Sequence, residues 1–142
     1  MSSWLPDVHI ADGGSEFDAV FALRPDLFDA YRDFESVFWT HGLLDPEILD
    51  ACRARCAQVL RATGAPAEPV TADEPTSALA ACLTVAEQFV IDPHGVTPEM
   101  RATVVAHVGE TGLVALVEAL AVFDGFTRFG TILGIDSDEG GA

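Results

Sequence analysis

From about Thr111 to Leu133 the chain is apolar nearly all round, and Glu118, Asp124 and Arg128 are its only charges there. A surface helix keeps one wet face, so a segment without one is expected at the centre of the fold, with other helices as its walls. The rest of the chain has the material for those walls. At 142 residues and 49% apolar composition it is the size of one domain with one core.

The walls follow from helical periodicity and from residues that start and stop helices. Ser15 caps a short helix from Glu16 to about Leu23. Pro25 opens a second helix, on which Leu27, Ala30, Tyr31, Phe34, Val37 and Phe38 share an arc, and Gly42 ends it. Asp45 and Pro46 begin a third, running to about Ala62. Its main apolar arc is Ile48, Leu49, Cys52, Cys56, Val59 and Leu60. Ala51, Ala54 and Ala57 make a second, small-residue surface suited to another subunit. Residues 64 to 76, with Pro at 66, 69 and 75, read as an exposed loop.

A fourth helix spans about Ser77 to Ile91, and Thr97-Pro98 caps a fifth that runs to about Val108. Gly109 and Gly112 bracket a turn before the sixth, the apolar segment itself. No run alternates with period two for long enough to require a strand. The expected fold is all-α, a compact bundle of about six helices over residues 16 to 135, with an arm at 1 to 15 and a flexible acidic tail at 136 to 142.

Charge excludes several functions. Acidic residues number 23 against 7 basic ones, every base is Arg, and the formal charge is -16 at pH 7. A chain with no Lys has no lysine chemistry. Without a basic stripe to displace counterions, it is not expected to bind nucleic acid or an anionic membrane surface. Uninterrupted apolar runs fall short of the roughly 18 residues of a membrane span, and Met1 to Ile10 lacks the pattern of a secretion signal, so the expected address is the cytoplasm. Cys52, Cys56 and Cys82 form an odd set with neither CxxC nor zinc-like spacing. They read as reduced core thiols, with no metal expected.

The inward-facing polar residues are the candidates for chemistry. Asp124 and Arg128 stand four apart on the stripe of Leu113, Val117 and Leu120, with Thr127 and Thr131 beside them. Burying two ions invites a reason, either a substrate site in which Arg128 holds a carboxylate and Asp124 moves a proton, or a structural ion pair. His107 falls on the arc of Met100, Thr103 and Val104, which points it inward as an acid or base near neutral pH or as a core residue. His94 sits in a turn, and His9 and His41 carry no usable context. Arg53 and Arg55 flank the apolar arc of the third helix, where Arg55 is an interfacial Arg or an anion clamp.

Three strings resemble the carboxymuconolactone decarboxylase and alkylhydroperoxidase D-like family. Residues 24 to 60, RPDLFDAYRDFESVFWTHGLLDPEILDACRARCAQVL, are similar to its first helical hairpin. Residues 78 to 100, ALAACLTVAEQFVIDPHGVTPEM, and 113 to 135, LVALVEALAVFDGFTRFGTILGI, resemble its last helices. Arg55 and Gln58 match polar positions of the family, as do Asp124, Gly125, Phe126 and Arg128. In the peroxidase branch a Glu, two Cys and a His follow a fixed spacing, and Asp50, Ala62, Ala65 and Pro69 stand at those positions here. Only the carboxylate remains, so thiol peroxidase chemistry is not expected, and a residual activity at Cys82 or Cys56 is the least favoured reading.

The resemblance implies a homotrimer or homohexamer. The family matches support the fold and carry no catalytic role by themselves; the inward polar set together with the family's decarboxylase branch points to a cofactor-independent enzyme of lyase or isomerase type, acting by acid/base chemistry on a small organic acid or lactone. In that reading Arg128 and Arg55 bind the anion, and Asp124, His107 or Asp50 moves the proton. The alternative is a catalytically inactive oligomeric binding or scaffold protein of the same fold.

Overall fold

The computed structural model describes Leu5, Ile10 and residues 12–40, 42–61 and 77–135. Most of the expected arm, the loop at 64 to 76 and the tail lie outside the described residues. Among the described residues five α-helices follow one another: α1 (Glu16–Phe21), α2 (Pro25–Thr40), α3 (Pro46–Arg61), α4 (Ala78–Ile91) and α5 (Pro98–Leu133), with a 3-10 turn at Pro93–Gly95. There is no strand among the described residues.

The helices begin at residues whose side chains take up otherwise unpaired backbone N–H groups. Ser15 Oγ accepts from the Asp18 N–H at 3.0 Å, and Ser77 Oγ from the Ala80 N–H at 3.0 Å. An Asp45 carboxylate oxygen accepts from the Glu47 N–H at 3.0 Å. Thr97 Oγ1 accepts from the Met100 N–H at 3.2 Å, while the Thr97 N–H points to the Met100 sulfur. Gly134, in the left-handed region at φ 70, closes α5.

The turn expected between a fifth and a sixth helix is instead a kink inside α5. Gly109 has φ 78 and ψ 174, a conformation essentially restricted to glycine, and helical pairing resumes directly after it. One turn on, a Cβ at Gly112 would lie 2.7 Å from Val108 Cβ, so the kinked backbone closes over a position with no room for a side chain.

Helices α3, α4 and α5 pack on one another around Leu49, Cys52, Cys56, Cys82, Val85, Ala86, Val104, Leu116, Ala119 and Leu120. Burying a side chain such as Leu116 or Leu120 stabilises the fold by about 1.5–3 kcal/mol. The hairpin of α1 and α2 joins this core through aromatic rings. Phe17, Phe21, Phe28 and Tyr31 cluster with Phe126 and Phe129 of α5, and the Tyr31 and Phe126 centroids are 4.4 Å apart. Of the arc expected on α2, Phe38 is buried and Tyr31 half-buried, whereas Leu27, Ala30, Phe34 and Val37 face outward.

Two expectations about α5 need correction. It is not enclosed all round: Ala115, Leu116, Ala119, Leu120, Phe123, Thr127 and Gly130 are buried, but Val114, Val117, Ala121 and Ile132 are exposed. The helix also contains an 18-residue window of mean hydropathy 1.5, long and apolar enough to cross a membrane by length and composition, although uninterrupted runs had suggested none. A core helix of a soluble protein passes the same test, and one flank of α5 is packed against α3 and α4.

Candidate functional site

The most deeply placed ion of the described chain is Arg55, whose side chain is 6% exposed on the flank of α3 that meets α4. Its guanidinium is engaged by its own chain. Nε donates to Glu87 Oε1 at 2.6 Å, one terminal nitrogen donates to the same oxygen, and the other donates to Gln58 Oε1 at 2.7 Å. Glu87, 26% exposed, is the sole charge of α4. Its position in an otherwise apolar helix is a sequence signal, but its partner lies 32 residues away in the chain. A carboxylate and an amide thus satisfy the cation as it leaves water. Among the described residues no buried side-chain nitrogen or oxygen lacks a partner.

Cys52, Cys56 and Cys82 are free thiols at full burial in the core. Burial pushes the Cys82 thiol up to about 11 and Cys56 up to about 12, with the nearby Asp124 carboxylate adding to the latter. Burial raises Cys52 as well, reinforced by Cys82 and Cys56. Nucleophilic sulfur chemistry requires the thiolate, and these surroundings favour the protonated form.

Asp124 and Arg128 are paired, with Arg128 Nε 3.1 Å from Asp124 Oδ2, one helical turn apart. The stripe that should have buried them is only partly inside: Leu120 is enclosed, Val117 is exposed, and the Arg128 side chain is 56% exposed. His107, expected to face inward, is exposed: before Gly109 the covered line of the helix is Met100, Val104 and Val108, with Val104 buried and the other two partly so, and it leaves Thr103 and His107 outside. His94 is exposed too, with Nδ1 3.2 Å from Asp92 Oδ1. His9 and His41, and Ala62, Ala65 and Pro69, lie outside the described residues.

Asp50 is on the surface, with its Oδ1 2.5 Å from an Arg53 terminal nitrogen. Arg53 also lies over the Trp39 ring, 5.4 Å from its centroid. Together with Pro46 and Glu47 these residues line an open depression of about 440 Å³ at the start of α3. Sequence reasoning placed Asp50 but missed Trp39 as its neighbour, since the link runs between two helices through Arg53.

The structure therefore distributes the five candidate residues. Arg55 belongs to the pair with Glu87, Asp124 and Arg128 to a surface pair on α5, Asp50 to the depression beside Trp39, and His107 to the exposed start of α5. Among the described residues no group of three His, Cys, Asp or Glu is placed to hold a metal ion. No family model, curated protein or solved structure matches the chain.

Proposed function

We propose that this chain is a catalytically inactive oligomeric scaffold or binding protein with an alkylhydroperoxidase D-like helical arrangement. The resemblance of residues 24 to 60, 78 to 100 and 113 to 135 supports the family and the finer fold. The observation that carries the functional reading is the occupation of Arg55. A guanidinium whose three nitrogens already bond Glu87 and Gln58 is a structural cation, and binding a substrate anion there would first require breaking that pair. The exposed apolar residues of α2 and α5 supply surface for association instead.

A second reading keeps an enzyme of lyase or isomerase type acting on an organic acid or lactone. The depression at Trp39, Asp50 and Arg53 favours it, with Arg53 meeting a carboxylate and Asp50 moving a proton. A thermal-shift panel of small carboxylic acids and lactones, run on the parent, Arg128→Ala and Asp50→Asn, separates the two. Ligand binding to the folded state raises its stability by RT ln(1 + [L]/Kd). The scaffold reading predicts that no compound gives a saturable shift that either variant abolishes. One such shift would establish a small-molecule site, and turnover of that compound by the parent but not by Asp50→Asn would return the protein to the enzyme class.

A further inference from the structure

The outward face of α5 has a pattern that an all-round apolar reading conceals. Val114, Glu118, Ala121, Gly125, Arg128 and Ile132 are all exposed, and they alternate in steps of four and three, so they share one narrow arc opposite the buried Phe123. Val114 and Ile132 are 57% and 64% exposed.

The order of residue types is the same read from either end. Ala121 and Gly125, both small, lie equally far on either side of Phe123. Next come Glu118 and Arg128, opposite in charge, and then Val114 and Ile132, both large and apolar. An antiparallel copy of this helix, related by a two-fold axis passing between Ala121 and Gly125, would bring small residue to small residue, carboxylate to guanidinium and apolar to apolar. Each match occurs twice. A two-fold interface must be complementary to itself in this way.

We propose that α5 pairs with the α5 of a second copy of this chain in an antiparallel seam centred on Ala121 and Gly125, closed at each end by Glu118 of one copy and Arg128 of the other. This inference rests on the scaffold reading and names its partner. From Val114 to Ile132 the seam spans about 27 Å at 1.5 Å per residue. Ala121 and Gly125 let the two backbones approach closely at its centre, as small residues do between packed helices. Within its own chain Arg128 uses Nε for Asp124, which leaves its terminal nitrogens for the partner. The seam fits a dimer or a dimer-built hexamer and is incompatible with a lone trimer.

The full chain can be tested by sedimentation equilibrium, using charge reversal. Glu118→Arg sets Arg against Arg twice and should weaken self-association by at least about tenfold. Arg128→Glu should do the same, and the double variant E118R/R128E, complementary again, should recover it. Gly125→Leu keeps the single chain folded, since a Cβ at Gly125 meets nothing within 4 Å and Leu is a better helix former than Gly, yet it fills the seam and should abolish pairing. Oxidative cross-linking tests direction: V114C/I132C should link two copies readily, whereas V114C alone should not.

Assembly that ignores Glu118→Arg and Gly125→Leu would overturn the seam while leaving the scaffold reading intact. So would rapid cross-linking of V114C alone. A monomer that floats with phosphatidylcholine vesicles would overturn it by assigning the stripe to lipid. Turnover of a small organic acid or lactone by the parent chain, by contrast, would sink the scaffold reading without touching the cross-linking result.

Discussion

Arg55 and Arg128 show how far two arginines on the same core can differ in what they hold. Removing Arg55 leaves Glu87, 26% exposed, with its main partner gone, and Arg55→Met should cost about 3 kcal/mol in urea unfolding. Arg128→Ala removes a surface pair and should cost under about 1 kcal/mol. Equal losses would contradict the placement of the two residues. The thiols give a pH signature. Cys56 and Cys82 are raised to about 12 and about 11 from an ordinary value of 9.0, and Tyr31 is raised by burial to about 12 from 10.0. As pH climbs above the ordinary cysteine value, the unfolded chain releases protons that the folded chain retains. Stability should therefore be unaffected below that range and fall above it, by about 1.4 kcal/mol per pH unit for each thiol. A flat urea midpoint from pH 8 to pH 10 would disprove the burial of the sulfurs. The sequence marked Arg55 as a residue on the edge of an apolar arc, but a wheel for one helix cannot show a partner on the next, and Glu87 was missed for that reason.

At the scale of elements, sequence signals were strongest where the physics is local. Ser15, Asp45, Ser77 and Thr97 were all legible as helix starts, because a side-chain oxygen and an N–H two or three residues ahead suffice to make a cap. The Gly109 region was legible as an interruption but not as a kink, since a turn and a single non-helical residue both call for glycine. His107 was misplaced for a separate reason, since of Thr103, Val104 and His107, read as one inward arc, only Val104 is covered. Gly109→Ala should cost at least about 1 kcal/mol by thermal or urea unfolding, from backbone conformation alone, because the added Cβ would meet no neighbour. A neutral or stabilising effect would mean that the helix runs straight through this position. The outward turn of Leu27, Phe34 and Val37 on α2 was hidden for a related reason: one apolar arc looks the same whether all of it or half of it is covered.

For the whole molecule the same ambiguity decides the account. A helix apolar on two faces is legible in the sequence as a helix, while the partner of its second face is not, and α5 leaves Val114, Val117 and Ile132 to solvent within one chain. Each copy also carries a formal charge of -16 at pH 7, so copies repel one another, and association should strengthen as salt is raised from low to physiological concentration. The candidate site was legible only in part. Asp50, Arg55, Asp124 and Arg128 were recognised as polar residues worth explaining, but their assignment to separate pairs depends on contacts between helices. The most direct measurement is the mass of the unmodified chain in solution by multi-angle light scattering over a range of concentrations. The account predicts a reversible assembly built from pairs of the 15.0 kDa chain. A particle of one chain's mass at every concentration and salt would contradict it.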